Sequence, residues 1–89
     1  MFNEILVGKK SQMNYVLACL TAFHEGAKEV TIKARGRSIS KAVDVVEIVR
    51  KKFMTDITIK DINIGTDEIK LNDNVRRISS ISIVLAKMK

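Results

Sequence analysis

Glu29-Val30-Thr31-Ile32-Lys33-Ala34-Arg35-Gly36-Arg37-Ser38-Ile39-Ser40-Lys41 changes its hydrophobic period part-way along. As far as Arg35 it alternates, with Val30, Ile32 and Ala34 on one face and Thr31, Lys33 and Arg35 on the other. That is the pattern of a strand with one packed face and one basic face. Beyond Gly36 the stripe Ile39, Ala42, Val43, Val46, Val49 and Phe53 has the spacing of an amphipathic helix. Gly36 admits a turn with positive φ, and Ser38 or Ser40 is placed to cap the helix. Lys33, Arg35, Arg37 and Lys41 thus gather at a strand-to-helix turn, where free backbone amides and the helix dipole favour an anion. The phosphate backbone of a nucleic acid is the leading candidate for that anion.

Upstream, Glu4-Ile5-Leu6-Val7 is a short run ended by Gly8, read as a central strand covered on both faces. Gly8-Lys9-Lys10-Ser11 then leads into apolar positions 13, 16, 17, 20, 23 and 27, an amphipathic helix with Ser11 as N-cap and Gly26 as stop. Lys9 and Lys10 form a second basic strand-to-helix turn, a phosphate contact on one reading and a solvated lysine pair on the other. Gly-Lys-Lys-Ser resembles the end of a P-loop, but that motif needs a glycine where Asn3 stands, which argues against nucleotide hydrolysis.

Downstream, Val45 and Ile48 lie off the stripe of their helix, so a partner subunit is expected to cover them. Glu47 and Lys51 make an i, i+4 pair. The apolar positions of 57–64 change parity from Ile57 and Ile59 to Ile62 and Ile64, which predicts a β-bulge near Lys60 and Asp61. Gly65 to Arg77 reads as a long hairpin turning at Asn72, Asp73 and Asn74, with Arg76 and Arg77 on the return. A last strand alternates at Ile81, Ile83 and Leu85 and ends in Lys87 and Lys89. The arm should be mobile until it grips something.

The order β-α-β-α-β-β predicts a small α/β (α+β) sandwich, with two helices on one face of a four-stranded mixed sheet or flanking it. Eighty-nine residues, 46% of them apolar, form one domain, 1–89, with a core of its own. Sixteen Lys and Arg against 10 Asp and Glu leave a net charge of +6, which suits polyanion partners. Cys19, the single cysteine, excludes an internal disulfide or a cysteine-based zinc site and reads as a buried side chain. Without a signal-like start or an apolar run near the ~18 residues of a membrane span, a cytoplasmic protein is expected, with no membrane partner.

Catalysis has no constellation to stand on: His24 is alone, the carboxylates are scattered, and no metal or cofactor site is expected. Only four aromatic residues are present, none interleaved with the basic clusters, which disfavours base stacking on single strands. Backbone-dominated, sequence-tolerant binding of a duplex is what remains.

Several stretches closely resemble the Alba family of archaeal chromatin proteins. They are Gly8-Lys9-Lys10 with Met13-Asn14-Tyr15-Val16-Leu17, Ile32 to Arg37 with Ile39-Ser40-Lys41-Ala42-Val43-Asp44, and Val46-Glu47-Ile48-Val49-Arg50. The resemblance implies a homodimer, each subunit folded like the C-terminal domain of a bacterial translation initiation factor, that coats and compacts double-stranded DNA and also binds RNA. It implies association with the chromosome; the alternative, an RNA chaperone or ribonucleoprotein subunit, follows because an A-form backbone satisfies the same lysines. Lys9 and Lys10 would be the central lysine pair, and Lys9 a site of acetylation that brings in an acetyltransferase and a deacetylase. Arg35 and Arg37 would hold the backbone, the Gly65–Arg77 hairpin would enter the minor groove, and Phe53 would join dimers side by side. Lys33, Lys41, Arg76 and Arg77 complete the expected nucleic-acid surface. Ser11 stands where many members have proline, and the hairpin is short and carries Asp67, Glu68 and Asp73.

Overall fold

The computed structural model describes residues 3–88, so Lys89 lies outside the described residues. Strand β1 (Glu4–Leu6) is followed by helix α1 (Gln12–His24), β2 (Glu29–Arg35), α2 (Ser38–Ile48), a π-helical turn (Val49–Phe53), β3 (Ile57–Leu71) and β4 (Asn74–Lys87). The strands form one mixed sheet in the order β1-β2-β4-β3, with β1 parallel to β2 and the other pairs antiparallel. The β-α-β-α-β-β order and the four-stranded mixed sheet with two helices match the expectation from sequence.

Alternation in β2 decides which face is packed. Val30, Ile32 and Ala34 are buried and pair with Leu85, Ile83 and Ile81 of β4. Val16, Cys19 and Phe23 of α1 and Ala42, Val45 and Val46 of α2 close over that surface in one core, so the helices share one face. Lys33, Arg35, Ser80 and Ser82 belong to the opposite, open face.

Four expectations are corrected. The first strand is not central: β1 pairs with β2 alone, and Leu6 is 71% exposed. An apolar run reports hydrophobicity, whereas β4 takes the other side of β2 and leaves β1 at the edge. On α1, Met13 and Leu17 are exposed while Tyr15 and Cys19 are buried, because the helix is rolled to bring the Tyr15 ring inward. Val45, assigned to a partner subunit, is fully buried in the core that α1 and α2 share, and Ile48 packs against it; Val43 and Phe53 are the exposed members of the predicted stripe. Neither serine caps α2, whose N-cap position is held by Arg37, since the turn at Gly36 is tight enough for the helix to start at Ser38. Ser11 does occupy the N-cap position of α1, although its side chain makes no capping bond.

Local chemistry behaves as read elsewhere. Gly26 ends α1 at φ +105°, with its amide donating to Phe23 O and that of Ala27 to Ala22 O, each at 3.1 Å. Glu47 takes both Lys51 (3.1 Å) and Arg50 (2.9 Å), and these two cations hold its carboxyl below the usual range. The ladder steps from Ile59↔Leu85 to Asp61↔Val84, leaving Lys60 as the bulge residue, after which Ile62 and Ile64 pair with Ile83 and Ile81. Lys60 reaches Glu29 on β2. The ladder runs out to Leu71↔Asn74, and Asn72 makes the turn at φ +57°.

Pairing of β2 with β4 stops at Arg35↔Ser80, so the rungs from Thr66↔Ser79 onward form an arm with no third strand among the described residues. Six rungs make it about 20 Å long, and it accounts for the elongated 48 × 23 × 21 Å molecule.

Burial pushes the Cys19 thiol from its ordinary 9.0 up to about 12. Such an acid stays protonated in the folded state while the unfolded chain ionises, so stability should decline as pH rises from 9.0 toward about 12. A disulfide reagent at pH 8 should leave Cys19 unmodified in the native protein and label it quickly in denaturant; equal rates would contradict the burial.

Candidate nucleic-acid interface

The first basic turn is built around a phenol. Tyr15, on the first turn of α1, accepts hydrogen bonds at its Oη from the amides of Gly8 (2.9 Å) and Lys10 (3.0 Å). Lys41, 31 and 33 residues further on, donates from Nζ to the carbonyls of Lys10 (2.8 Å) and Gly8 (2.7 Å). Its ammonium lies 5.9 Å from the Tyr15 ring centroid, within range of a cation–π attraction. Lys9 and Lys10 are left with exposed side chains. Because Tyr15 takes the Gly8 and Lys10 amides, those two groups are not available to an anion.

The second basic turn joins β2 to α2. Gly36 adopts φ +56° and donates its amide to Ser79 O at 2.8 Å, tying the turn to the root of the arm. Lys33 Nζ lies 3.2 Å from Glu4 Oε2, and Arg35 Nη1 lies 3.7 Å from Asp67 Oδ2 on the arm. Both pairs are half exposed and contribute little to stability. Arg37 is exposed at the start of α2.

Alternation along β4 separates the two arm arginines. Arg76 pairs with Ile69 on the open-face side, whereas Arg77, opposite Glu68, projects to the other side, with Nε 3.5 Å from Glu68 Oε2. Among the described residues, Lys9, Lys10, Arg37, Lys41 and Arg76 form no ion pair with a carboxylate. An open concavity of about 630 Å³ brings Lys9 of the first turn together with Lys33 and Arg35 of the second and with Asn63, Asp67 and Ser82. Phe53 is 52% exposed and sits apart from this surface, beside a hollow of about 430 Å³ that includes Leu20, His24 and Met54.

A family model described as Alba matches residues 3–66. The chain belongs to the Alba family. It is 56% identical over 85 residues to DNA/RNA-binding protein Alba 1 of Archaeoglobus fulgidus, covering 96% of each chain. It is 55% identical over 86 residues to DNA/RNA-binding protein Alba of Methanocella arvoryzae, covering 96% of this chain and 90% of the relative. Among solved structures, Alba from Thermoplasma volcanium superposes with a TM-score of 0.92 at 47% identity, over 96% of this chain and all 100% of that one.

Two parts of this Alba chain's surface are not legible as such in the sequence. Tyr15 stands there only as a member of a family stretch, and its one signal is a lone tyrosine a helical turn past Gly-Lys-Lys. Asp67 reads as an obstacle to groove entry, yet it is the group that faces Arg35.

A methyl at Gly36 would meet Ile78 Cγ2 of the arm at 3.4 Å, at a positive φ. Gly36→Ala should therefore lower stability by about 1–2 kcal/mol through the left-handed backbone, read as a reduced denaturant midpoint. An unchanged midpoint would count against the strained turn.

Proposed function

We propose that this chain binds nucleic acid as a homodimer that coats and compacts double-stranded chromosomal DNA, tolerant of sequence, through phosphate-backbone contacts and an arm in the minor groove. The observation that carries the reading is the convergence of two basic turns and the root of the arm on one concavity. Its relatives are named as DNA/RNA-binding proteins, which supports nucleic acid as the ligand class. Neutralising phosphates releases counterions from any duplex, so such a surface gives affinity without base readout.

On this reading Lys9 and Lys10 form the centre of the surface, Arg35 and Arg37 hold phosphates at its flanks, and Lys33 and Arg76 extend it along the open face. Arg77 works from the other side of the arm. Leu71 and Val75, 51% and 53% exposed near the tip, suit apolar contact with a minor-groove wall. Val43, Ile62 and Ile64 are exposed on the helix side of the molecule, and a second copy of the chain is the occupant proposed for them. Phe53 and the hollow beside it would join one dimer to the next. Acetylation of Lys9 by an acetyltransferase would remove one cation per subunit, and a deacetylase would restore it. The protein would act on the chromosome in the cytoplasm.

RNA is the second reading, with the chain as an RNA chaperone or ribonucleoprotein subunit, because an A-form backbone satisfies the same lysines. Competition between matched DNA and RNA duplexes separates the two, a preference for RNA overturning the first.

Duplex affinity should fall linearly on a log–log plot against salt, and K9Q/K10Q should make the slope shallower by about 0.9 for each phosphate no longer neutralised. A salt-independent affinity, or an unchanged slope in that variant, defeats the proposal. Asp67→Asn removes a carboxylate facing Arg35 and should tighten binding about two- to fivefold, the scale of an exposed ion pair. Weaker binding by that variant would argue that the pair serves to hold the arm in place.

A further inference from the structure

We infer that Lys41 serves this surface as a positioning residue and not as a phosphate contact: with Tyr15 it forms a clamp that sets the shape of the Lys9–Lys10 loop and its spacing from Arg37. The inference rests on the nucleic-acid reading above and assigns Lys41 a different task within it.

An ammonium has three N–H donors, and two of those on Lys41 are directed inward, to Gly8 O and Lys10 O. Tyr15 Oη holds the amides of the same two residues. The loop is therefore gripped at four backbone groups, two N–H and two C=O, from two helices at once. Lys9, between the gripped residues, is held by neither Tyr15 nor Lys41, and its side chain, like that of Lys10, stays exposed.

The grip spans the two basic turns. Lys41 rises from the first turn of α2, the helix whose N-cap is Arg37, while Tyr15 belongs to α1. Holding Gly8 and Lys10 from α2 keeps the lysine pair at a constant distance from Arg37 and Arg35. Phosphates lie at regular intervals on a duplex, so cations at a constant spacing meet them without ordering a loop at the moment of binding. A solvated loop with the same charge would bind more weakly, because that ordering would then accompany association.

Hydrogen exchange and a double-mutant cycle test the clamp together. In the free protein, Tyr15→Phe and Lys41→Gln should each speed exchange of the Gly8 and Lys10 amides while leaving core amides such as Ile32 and Leu85 protected. Each should weaken binding to a defined DNA duplex about three- to tenfold, the loss of one or two hydrogen bonds, although Tyr15→Phe removes no charge. In the K9Q/K10Q background both effects should shrink to near nothing. If Lys41 held a phosphate directly, Tyr15→Phe would leave affinity unchanged and the Lys41→Gln loss would persist in full in that background; either result overturns the inference. Unaltered exchange at Gly8 and Lys10 in both variants also overturns it. Should K9Q/K10Q alone bind as tightly as the parent, the site reading fails, and the claim on binding with it, whereas exchange in the free protein still reports whether the clamp exists.

Discussion

Val30, Ile32 and Ala34 stand opposite Leu85, Ile83 and Ile81 across the β2–β4 ladder, and the apolar face they make together is what both helices cover. Burying a branched aliphatic side chain contributes about 1.5–3 kcal/mol, and Val30, Ile32 and Leu85 are wholly buried. The period of a strand is two, so a slip of one residue would turn Lys33 and Arg35 into that core and the apolar set into water. Register is therefore strongly specified. The open-face placement of Lys33 and Arg35 is the other side of the same constraint, which makes core packing and surface charge inseparable in this strand.

The arm depends on a local exception to that alternation. With Lys60 as the inserted residue, Ile57 and Ile59 face the helices and so do Ile62 and Ile64, on either side of the bulge. The last two lie beyond the cover of α1 and α2 and remain 52% and 82% exposed. Past Arg35 the hairpin has no third strand among the described residues, and the exposed pairs Arg35–Asp67 and Arg77–Glu68 add little to hold it. A two-stranded ladder of this kind has its backbone bonds satisfied on one side only, which leaves the outer N–H and C=O groups of both strands unpaired within the ladder.

Much of this is legible in the residues themselves. Alternation in 29–35, the parity change near Lys60 and the Asn72–Asn74 turn are local patterns, each tied to a backbone geometry that neighbours in sequence suffice to specify. Element order, the basic face of β2, the bulge and the hairpin follow from them, as does the family, from the stretches around Gly8 and Arg35.

Positions that depend on a choice between competing neighbours come from packing. Periodicity shows which residues of a helix are apolar, but Met13 and Tyr15 compete for the inside of α1, and the roll that buries Tyr15 leaves Met13 and Leu17 exposed. Val45 finds its cover within its own chain because two helices share one face of the sheet. β1 is an edge because β4, the last strand of the chain, pairs with the far side of β2. Lys41 shows the difference most plainly: its charge and its place in a basic cluster are written in the chain, but its ammonium reaches back across 31 and 33 residues to two carbonyls. Charge is a property of a residue, while the atom it is directed toward depends on what folding brings within about 3 Å.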